Sequence, residues 1–519
     1  MASVGRQDAG GEDRLSGLPD KTLGHILSFL PTMEAGRAAM LSSRWRDIFA
    51  SVHTISYVEL YDPKTMDTDT WSTFYFDSEE RRSTNGNFLD KVNGALLCRR
   101  RCAGPETTPL RVFRVFFQDY HNWDKPMVDR WVAYALQQAG DEELHLDLRL
   151  HSGVACKCGR SAEDDSYEEY CRRRRRRGGR QSSNRLPSRL FSCAALRSLR
   201  VAYCSLVPPE HISLPAVETL HLTGVRNPGA TIQRLISACP RLVDLTLEGC
   251  PEARRVSVLD KRLRRLSLRC CQNLESVAVD ASGLVAFDYR GTVPPESLLT
   301  LRGTPRVSSC TVEFCDRIKL FGEDELVRVR KLLDKFADAA RYLHLGSRRL
   351  GCGMKTESSF SGFPTFSALR RLELTGCPES RSTAIALARI LEQTPNLEAL
   401  TLFMKPVDNN DSSSKDDVVD NNDSSSKDDV EGDVVMTTTT DAMADFPAQC
   451  LRHRLREFNL VHYGGDETQR KVAEMVLGKA LLLQKLCVVF PKAPLALQTS
   501  LMNEIKGWVV NKSAKMLFL

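Results

Sequence analysis

The run of the sequence with the most evident chemistry is six consecutive arginines, with Arg180 close behind. Such a run can contact nucleic-acid phosphates or act as a nuclear-import signal. No aromatic side chains interleave with the arginines as a stacking platform for bases would require, which argues against a nucleic-acid partner. Three interpretations remain open: a solvated loop beside the acidic stretch EDDSYEE, an import signal and, least favoured, a nuclear nucleic-acid binder. The run consists of Arg172, Arg173, Arg174, Arg175, Arg176 and Arg177.

A second group of reactive side chains lies just before the arginines. Cys156, Cys158 and Cys171, with His151, are residue types that bind metal ions. Their spacing does not match the paired Cys-x₂₋₄-Cys or the Cys and His pairs of zinc sites. We therefore expect free thiols and no metal.

The remaining polar motifs do not indicate catalysis. GCGMKT, from Gly351, lacks the Gly-x₄-Gly-Lys-Ser/Thr order of a phosphate loop, and no Ser/His/Asp or Cys/His arrangement stands out among the 10 histidines. Ser413, Ser414, Ser425 and Ser426 each precede an aspartate by three residues. They could be phosphorylated by an acidophilic kinase or form an unmodified spacer. We expect a non-catalytic protein without a cofactor.

Composition limits the class of protein further. The chain has 519 residues, 42% of them hydrophobic, which excludes a wholly disordered chain. It opens without an apolar run, so no secretory signal is expected, and it has no stretch of ~18 uncharged apolar residues that could span a membrane. An odd count of 17 cysteines favours reduced thiols. We expect an intracellular protein of the nucleus or cytoplasm, with no membrane partner.

The elements that would position any binding residues recur along the chain. The template Leu-x-x-Leu-x-Leu predicts one short strand per copy. Clear copies start at Leu196, Val217, Leu242, Leu263, Leu284, Val307, Leu369, Leu397, Leu455 and Leu483. Weaker copies start at Arg111, Glu142 and Ala340, and the copy at Leu274 falls half a step out of phase. A cysteine follows several copies at a fixed offset, as a small residue at a packed corner, at Cys204, Cys250, Cys271, Cys315 and Cys377.

Helical stretches lie between some of the copies. Ile232, Leu235, Ile236 and Cys239 have helical spacing and are followed by Pro240; residues 384–393 and 469–479 have the same character. One strand and one return segment per repeat must stack on neighbours to bury their apolar faces. The pattern resembles a leucine-rich-repeat solenoid. The expected fold class is α/β, with a small all-α three-helix module before an irregular solenoid having a strand plus a helix or loop per repeat.

Two polar insertions interrupt the array. The step from Leu397 to Leu455 is 58 residues, and a 12-residue motif, DNNDSSSKDDVV, is duplicated within it. We expect a flexible tail at 1–12, a helical module at 13–52, and a linker or solenoid cap at 53–109. Repeats would follow at 110–405 with a basic insert at 151–185. An acidic disordered insert at 406–445 and C-terminal repeats with their cap at 446–519 would complete the chain.

The N-terminal module has the pattern of three short helices. Leu23, Ile26, Leu27 and Leu30 form one helical stripe, which Asp20 is expected to cap. A second helix would place Ala38 and Leu41 inward. Ser42 would cap a third helix carrying Trp45, Ile48 and Phe49. Three helices in ~35 residues cannot enclose a large core, so we expect apolar surface that a partner covers.

The string LPDKTLGHILSFLPTMEAGRAAMLSSRWR resembles an F-box, in the form found in plant F-box/leucine-rich-repeat families. The resemblance implies docking to the Skp-type adaptor, and through it to the cullin, of an SCF-type ubiquitin ligase. It also implies that the repeats bind an unknown target protein. Gly36, Met40 and Ser43 depart from the usual pattern. The expected adaptor-binding residues are Leu18, Pro19, Leu23, Ile26, Leu27, Leu30, Pro31, Leu41, Ser42, Trp45 and Ile48.

One other interpretation of the module remains. Repeat arrays need terminal caps, and a three-helix cap would serve that purpose. The protein would then be a leucine-rich-repeat binding scaffold outside any ligase.

Overall fold

The computed structural model describes residues 15, 17–58, 78–101, 108–117, 120, 124–140, 143–150, 185–315, 322–350, 363–378, 381–404 and 449–519. Within them the chain divides into two compact units, residues 1–280 and residues 281–519. Each unit combines parallel strands with helices, as the expected α/β class requires.

The helices of the first unit begin with the three of the N-terminal module. They are α1 (Asp20–Leu27), α2 (Thr32–Ala38), α3 (Ser43–Ala50), α4 (Ser78–Arg101), α5 (Lys125–Gln138) and α6 (Gly229–Ser237). A short 3₁₀ helix covers Ser188–Ser192.

The strands of the first unit form one parallel sheet and a separate pair. They are β1 (Thr54–Val58), β2 (Val112–Phe117), β3 (Leu144–Leu150), β4 (Leu196–Ala202), β5 (Thr219–Thr223), β6 (Asp244–Glu248), β7 (Arg255–Val258), β8 (Arg265–Arg269) and β9 (Ser276–Asp280). The sheet order is β1-β2-β3-β4-β5-β6-β8, all parallel, and β7 pairs with β9.

The second unit repeats this construction. Its strands are β10 (Ala286–Gly291), β11 (Leu299–Arg302), β12 (Ser309–Phe314), β13 (Tyr342–Arg349), β14 (Arg371–Cys377), β15 (Ala399–Met404), β16 (Glu457–Val461), β17 (Lys485–Val489) and β18 (Lys515–Phe518). All except β11 pair in parallel in chain order. Its helices are α7 (Glu323–Asp334), α8 (Arg381–Glu392), α9 (Gln449–His453), α10 (Glu467–Leu477) and α11 (Leu495–Trp508), with a 3₁₀ turn at Glu296–Leu298.

The leucines of the template form the core. Every predicted copy contains a strand, and equivalent apolar positions pair across neighbouring strands. Leu220 lies opposite Leu245, which lies opposite Leu266, and all three are at most 1% exposed. Burying a leucine side chain stabilises the fold by roughly 1.5–3 kcal/mol relative to leaving it in water. Stacked copies therefore stabilise each other as the sequence pattern requires.

The corner after each strand has a fixed backbone conformation in part of the first unit. Tyr203, Gly224, Gly249 and Cys270 directly follow β4, β5, β6 and β8, and all have φ between 53° and 62°. The next residue in three of these corners is a predicted cysteine. The Cys204 thiol donates to the Ala202 carbonyl at 3.2 Å, and burial raises the pKa of Cys204 to about 12, so the thiol remains a donor. Cys204, Cys250, Cys315 and Cys377 are buried and Cys271 is half-buried.

The irregular copy at Leu274 has a structural cause. Between β6 and β8 the return segment is the strand β7, and after β8 it is the strand β9, whereas α5 connects β2 to β3 and α6 connects β5 to β6. Val256 lies opposite Val277 in the β7–β9 pair, and both are buried. The half-step copy is therefore a return strand packed behind the main sheet.

No helix in the described ranges is long and apolar enough to cross a membrane. The 53–109 range, expected as a linker or cap, contains β1 and α4, and β1 forms the first strand of the sheet.

Candidate functional site

The helices α1 and α3 hold the start of the N-terminal module in place. Arg44 at the start of α3 donates to Asp20 through Nε at 3.0 Å and Nη2 at 2.8 Å, and Nη2 also donates to the Leu18 carbonyl at 2.7 Å. The pair is exposed, so its ionic contribution to stability is about 0–1 kcal/mol. Its geometric effect is to fix the Leu18–Pro19 turn beside the first residues of α3.

The other end of α1 is packed more closely. A Cβ at Gly24 would lie 2.8 Å from the Ser51 Cβ, so α1 approaches the end of α3 at a distance that only glycine permits. The Ser28 hydroxyl donates to the Gly24 carbonyl at 2.8 Å and accepts from the His53 amide at 3.1 Å. The Thr32 hydroxyl accepts from the Ser56 amide at 2.7 Å, which joins α2 to β1.

One buried cation joins this module to the first repeat. Arg99 in α4 is fully buried and donates to the Val52 carbonyl at 3.2 Å, to Gln138 Oε1 at 3.0 Å and to the Thr108 carbonyl. Val52 follows the end of α3 and Gln138 ends α5. The Val52 carbonyl and the Gln138 side-chain oxygen therefore accept hydrogen bonds from the guanidinium and stabilise its charge.

The module leaves apolar side chains in solvent. Phe29, Met40 and Leu41 are each 75–76% exposed. Ile26 and Leu30 are partly exposed, and Pro19 and Pro31 are exposed. Large apolar side chains gathered in so small a module indicate an interaction surface.

These side chains fall into two groups at the two ends of α1. The first is Pro19, Met40 and Leu41, because the Arg44 contact to Leu18 brings the start of α1 to the start of α3. The second is Ile26, Phe29 and Leu30, at the other end of α1. An eight-residue helix is ~12 Å long, so the two groups are about that far apart along α1. We call them together the exposed apolar surface of the module.

The predicted docking residues divide by burial. Leu23, Leu27 and Ile48 are at most 3% exposed and pack inside the module, where they cannot contact a partner directly. Leu18 and Trp45 are half-buried, and Ser42 is exposed. The assignment of the predicted set to adaptor binding stays a prediction.

Two details predicted for the module are wrong. Pro19 is the residue that precedes α1, and no side chain caps that helix; Asp20 lies inside the first turn and pairs with Arg44. Leu41 points outward because α2 ends at Ala38, so helical spacing no longer applies three residues later. The Ser42 cap is confirmed, since its hydroxyl accepts from the Trp45 amide at 3.3 Å.

Sequence reasoning missed Phe29 and Met40 as exposed residues. Phe29 lies beyond the end of α1, with its ring edge against His25 at a centroid distance of 4.8 Å. Both residues lie in the short turns between helices, where no periodicity signals which way a side chain points. The available signal was a large apolar residue in a turn, where solvent exposure is the default.

The outward-facing row of the first unit's main sheet is the second candidate surface. It carries charged and polar side chains in register: Arg114 on β2, Asp147 on β3, Arg200 on β4 and His221 on β5. The inward-facing rows carry the leucines. The outward row therefore presents polar side chains along the strands, the surface that repeat proteins use to bind ligands.

Several predicted sites lie outside the described residues. These are the arginine run Arg172–Arg177, the thiols Cys156, Cys158 and Cys171 with His151, and the duplicated acidic segment with its four serines. In the part of the chain that is described, no three His, Cys, Asp or Glu side chains come together as metal ligands.

In this structure three short helices precede repeats built on parallel strands. Comparisons with known proteins divide the chain in the same way. Residues 15–56 match the F-box domain family, and residues 169–300 match the family described as FBD-associated F-box protein At5g56370, LRR repeats. The F-box match covers the exposed apolar surface of the module.

Similar proteins from Arabidopsis thaliana have the same combination. Putative F-box/LRR-repeat protein At5g41840 is 28% identical over 49% of this chain and 42% of its own length. F-box/LRR-repeat protein At4g14103 is 27% identical over 55% of this chain and 64% of its own length. F-box/LRR-repeat protein At4g14096 is 25% identical over 76% of this chain and 73% of its own length. The chain thus spans less than two thirds of the first two relatives.

The resemblance stated from the sequence is confirmed: the chain carries an F-box followed by leucine-rich repeats, as in this plant family. The predicted fold class is confirmed with it. The predicted domain boundaries remain predictions.

Proposed function

We propose that this protein is the substrate-recognition subunit of an SCF-type ubiquitin ligase. The F-box binds a Skp-type adaptor, and through it a cullin, while the repeats bind a target protein. The role is non-catalytic, and the protein acts by holding its target near the ubiquitin-transferring subunits, which raises the effective concentration of the target. We place it inside the cell, in the nucleus or cytoplasm.

The exposed apolar surface of the F-box is the observation that carries this proposal. Phe29, Met40 and Leu41 have most of their surface in water, which costs ~25 cal/mol per Å² of apolar area relative to burial. A terminal cap of a repeat array should instead present a polar outer face. The module is therefore better suited to a partner than to capping.

The test replaces one exposed leucine in the F-box and a matched leucine elsewhere. Leu41→Asp places a charge in the proposed contact, and we expect at least a tenfold loss of affinity for a purified Skp-type adaptor. Leu41 is 76% exposed, so the fold should tolerate the change. Binding is measured by titration of the full chain, with thermal unfolding recorded on the same samples.

Leu495→Asp is the control, because Leu495 is 78% exposed on α11 of the second unit. It should leave adaptor affinity unchanged. Wild-type affinity in the Leu41 variant, or no adaptor binding by the wild type, would favour the alternative of a repeat scaffold outside any ligase.

A further inference from the structure

Two arginines contact one buried carboxylate on the outward face of β2 and β3, and a third arginine lies opposite it on β4. Asp147 is 6% exposed and accepts from Arg149 Nε at 3.0 Å and Nη2 at 3.2 Å. Arg114 Nε approaches Asp147 Oδ2 at 3.6 Å, beyond hydrogen-bond distance. Arg200 lies opposite Asp147 in the strand register. We call Arg114, Asp147, Arg149 and Arg200 the arginine cluster.

The cluster has an excess of two positive charges, since it contains three guanidinium groups and one carboxylate. The Asp147 carboxylate already accepts two hydrogen bonds from Arg149. The Arg149 guanidinium also lies 4.0 Å from the centre of the Phe116 ring. Arg200 is exposed, and no carboxylate of the described residues forms an ion pair with it. Arg114 keeps 47% of its side chain in solvent. Both can therefore donate to an incoming anion.

The neighbouring groups do not cancel this charge. Partial burial lowers the pKa of His145 on β3, so this ring is neutral near pH 7; Arg197 and Arg200 act in the same direction, and Glu143 and Glu218 oppose them. Both of these carboxylates form ion pairs with Arg197, which lies outside the cluster. The Glu248 carboxylate on β6 already has two neighbours of its own. The His221 Nε2 atom lies 3.6 Å from it, and the Thr223 hydroxyl donates to it at 3.2 Å. On β1, the residue opposite Arg114 is the uncharged Ser56.

We propose that the arginine cluster is a docking site for an acidic segment of the target protein, an inference that rests on the proposed function. Adjacent strands are ~4.8 Å apart, so the Cα atoms of Arg114 and Arg200 are about 10 Å apart across β2, β3 and β4. This spacing suits carboxylates a few residues apart on an extended peptide. Arginine binds each carboxylate through paired N–H groups.

A protein partner fits this surface better than nucleic acid. A nucleic-acid backbone presents a phosphate at every nucleotide and requires a continuous basic track. Here acidic side chains interrupt the arginines along the sheet, at Asp147, Asp244 and Glu248. An acidic peptide can place its carboxylates only where the arginines lie.

The probe is a fluorescein-labelled octaglutamate peptide titrated with the full chain at low salt. Octalysine and an eight-nucleotide single strand of DNA serve as comparison ligands. We expect saturable binding of octaglutamate, no binding of octalysine, and weaker binding of the DNA. Arg200→Glu should reduce octaglutamate affinity at least tenfold, because it replaces an attraction with a repulsion.

Arg255→Glu is the matched control. Arg255 lies on β7 of the same unit, with 82% of its side chain exposed, outside the main sheet. It should change octaglutamate affinity by less than twofold. Equal loss in both variants, or none in the Arg200 variant, would overturn the proposed site. Tighter binding of DNA that is lost in the Arg200 variant would assign the surface to nucleic acid instead.

Adaptor affinity is measured on the same variants. Arg200→Glu should bind the Skp-type adaptor as the wild type does, because the cluster contributes no residue to the F-box. The Leu41 variant should bind octaglutamate normally. Failure of the docking site and failure of the ligase function therefore produce different results.

Discussion

Tyr463 is a single residue whose hydroxyl has lost water without gaining a partner. It is fully buried after β16, and its Oη has no hydrogen-bond partner among the described residues. Burial raises the pKa of Tyr463, so the hydroxyl stays protonated. Tyr463→Phe removes the unsatisfied group and should raise the free energy of unfolding by up to about 1 kcal/mol, read from the urea midpoint.

Tyr342 in the same unit is the matched control for the Tyr463 substitution. Its hydroxyl donates to Glu373 Oε2 at 2.7 Å. Tyr342→Phe removes a hydrogen bond to a charged acceptor and should cost about 1.5–3 kcal/mol. If both substitutions destabilised the protein equally, the Tyr463 hydroxyl would have a partner after all.

The helix α4 shows, at the scale of elements, how the F-box is attached to the repeats. Arg99 satisfies carbonyls after α3 and before β2, together with the Gln138 side chain. Arg99→Leu would leave these buried acceptors without a hydrogen-bond donor, and we expect a loss of about 3 kcal/mol in the free energy of unfolding. Arg100→Leu on the exposed side of α4 should change it by less than about 0.5 kcal/mol.

Amide hydrogen exchange can distinguish a loosened junction between the F-box and the repeats from a general loss of stability. Amide hydrogen exchange should quicken first in α3 and β1 of the Arg99 variant, because these elements lose their link to α5. Uniform acceleration across the first unit would show instead that Arg99 supports the whole unit and not this junction.

Elements with a long repeating pattern could be predicted from the sequence, and short ones could not. The leucines of β5, β6 and β8 signal their strands because each buries three apolar positions in every copy. The strands β7 and β11 have four residues each and lack the template, so only the packing of their neighbours makes them strands. The outward position of Leu41 was missed for a related reason, because a helix ending at Ala38 cancels the periodicity on which the prediction rested.

The sequence also predicted where a binding surface lies better than which atoms form it. The F-box string places docking residues on α1 and α3, but burial separates those that pack, such as Leu27, from those that face water, such as Leu30. The arginine cluster could not be predicted, because Arg114, Arg149 and Arg200 come from strands up to 86 residues apart. Only the strand register brings them together.

At the scale of the whole molecule, the acidic duplication controls the net charge without being required for strand pairing. Residues 408–431 contain nine acidic side chains and two lysines, so their removal changes the net charge from +6 to +13. On either side of the insertion, β15 pairs directly with β16, from Ala399 opposite Glu457 to Phe403 opposite Val461. The Asn459 amide donates to the Thr401 hydroxyl at 3.1 Å across this pair.

Deleting residues 408–431 should therefore leave the stability of the protein almost unchanged. The 44 residues between Met404 and Gln449 become 20, and the smaller loop-closure entropy stabilises the fold by about 0.7 kcal/mol. The added positive charge opposes this gain through weak, salt-screened repulsion. Thermal unfolding of the deletion variant at two salt concentrations measures both effects, and a version with the 24 residues scrambled holds length and charge constant. A loss of more than about 2 kcal/mol in the deletion and in the scrambled version would mean that the order of these residues matters to folding, which their composition does not predict.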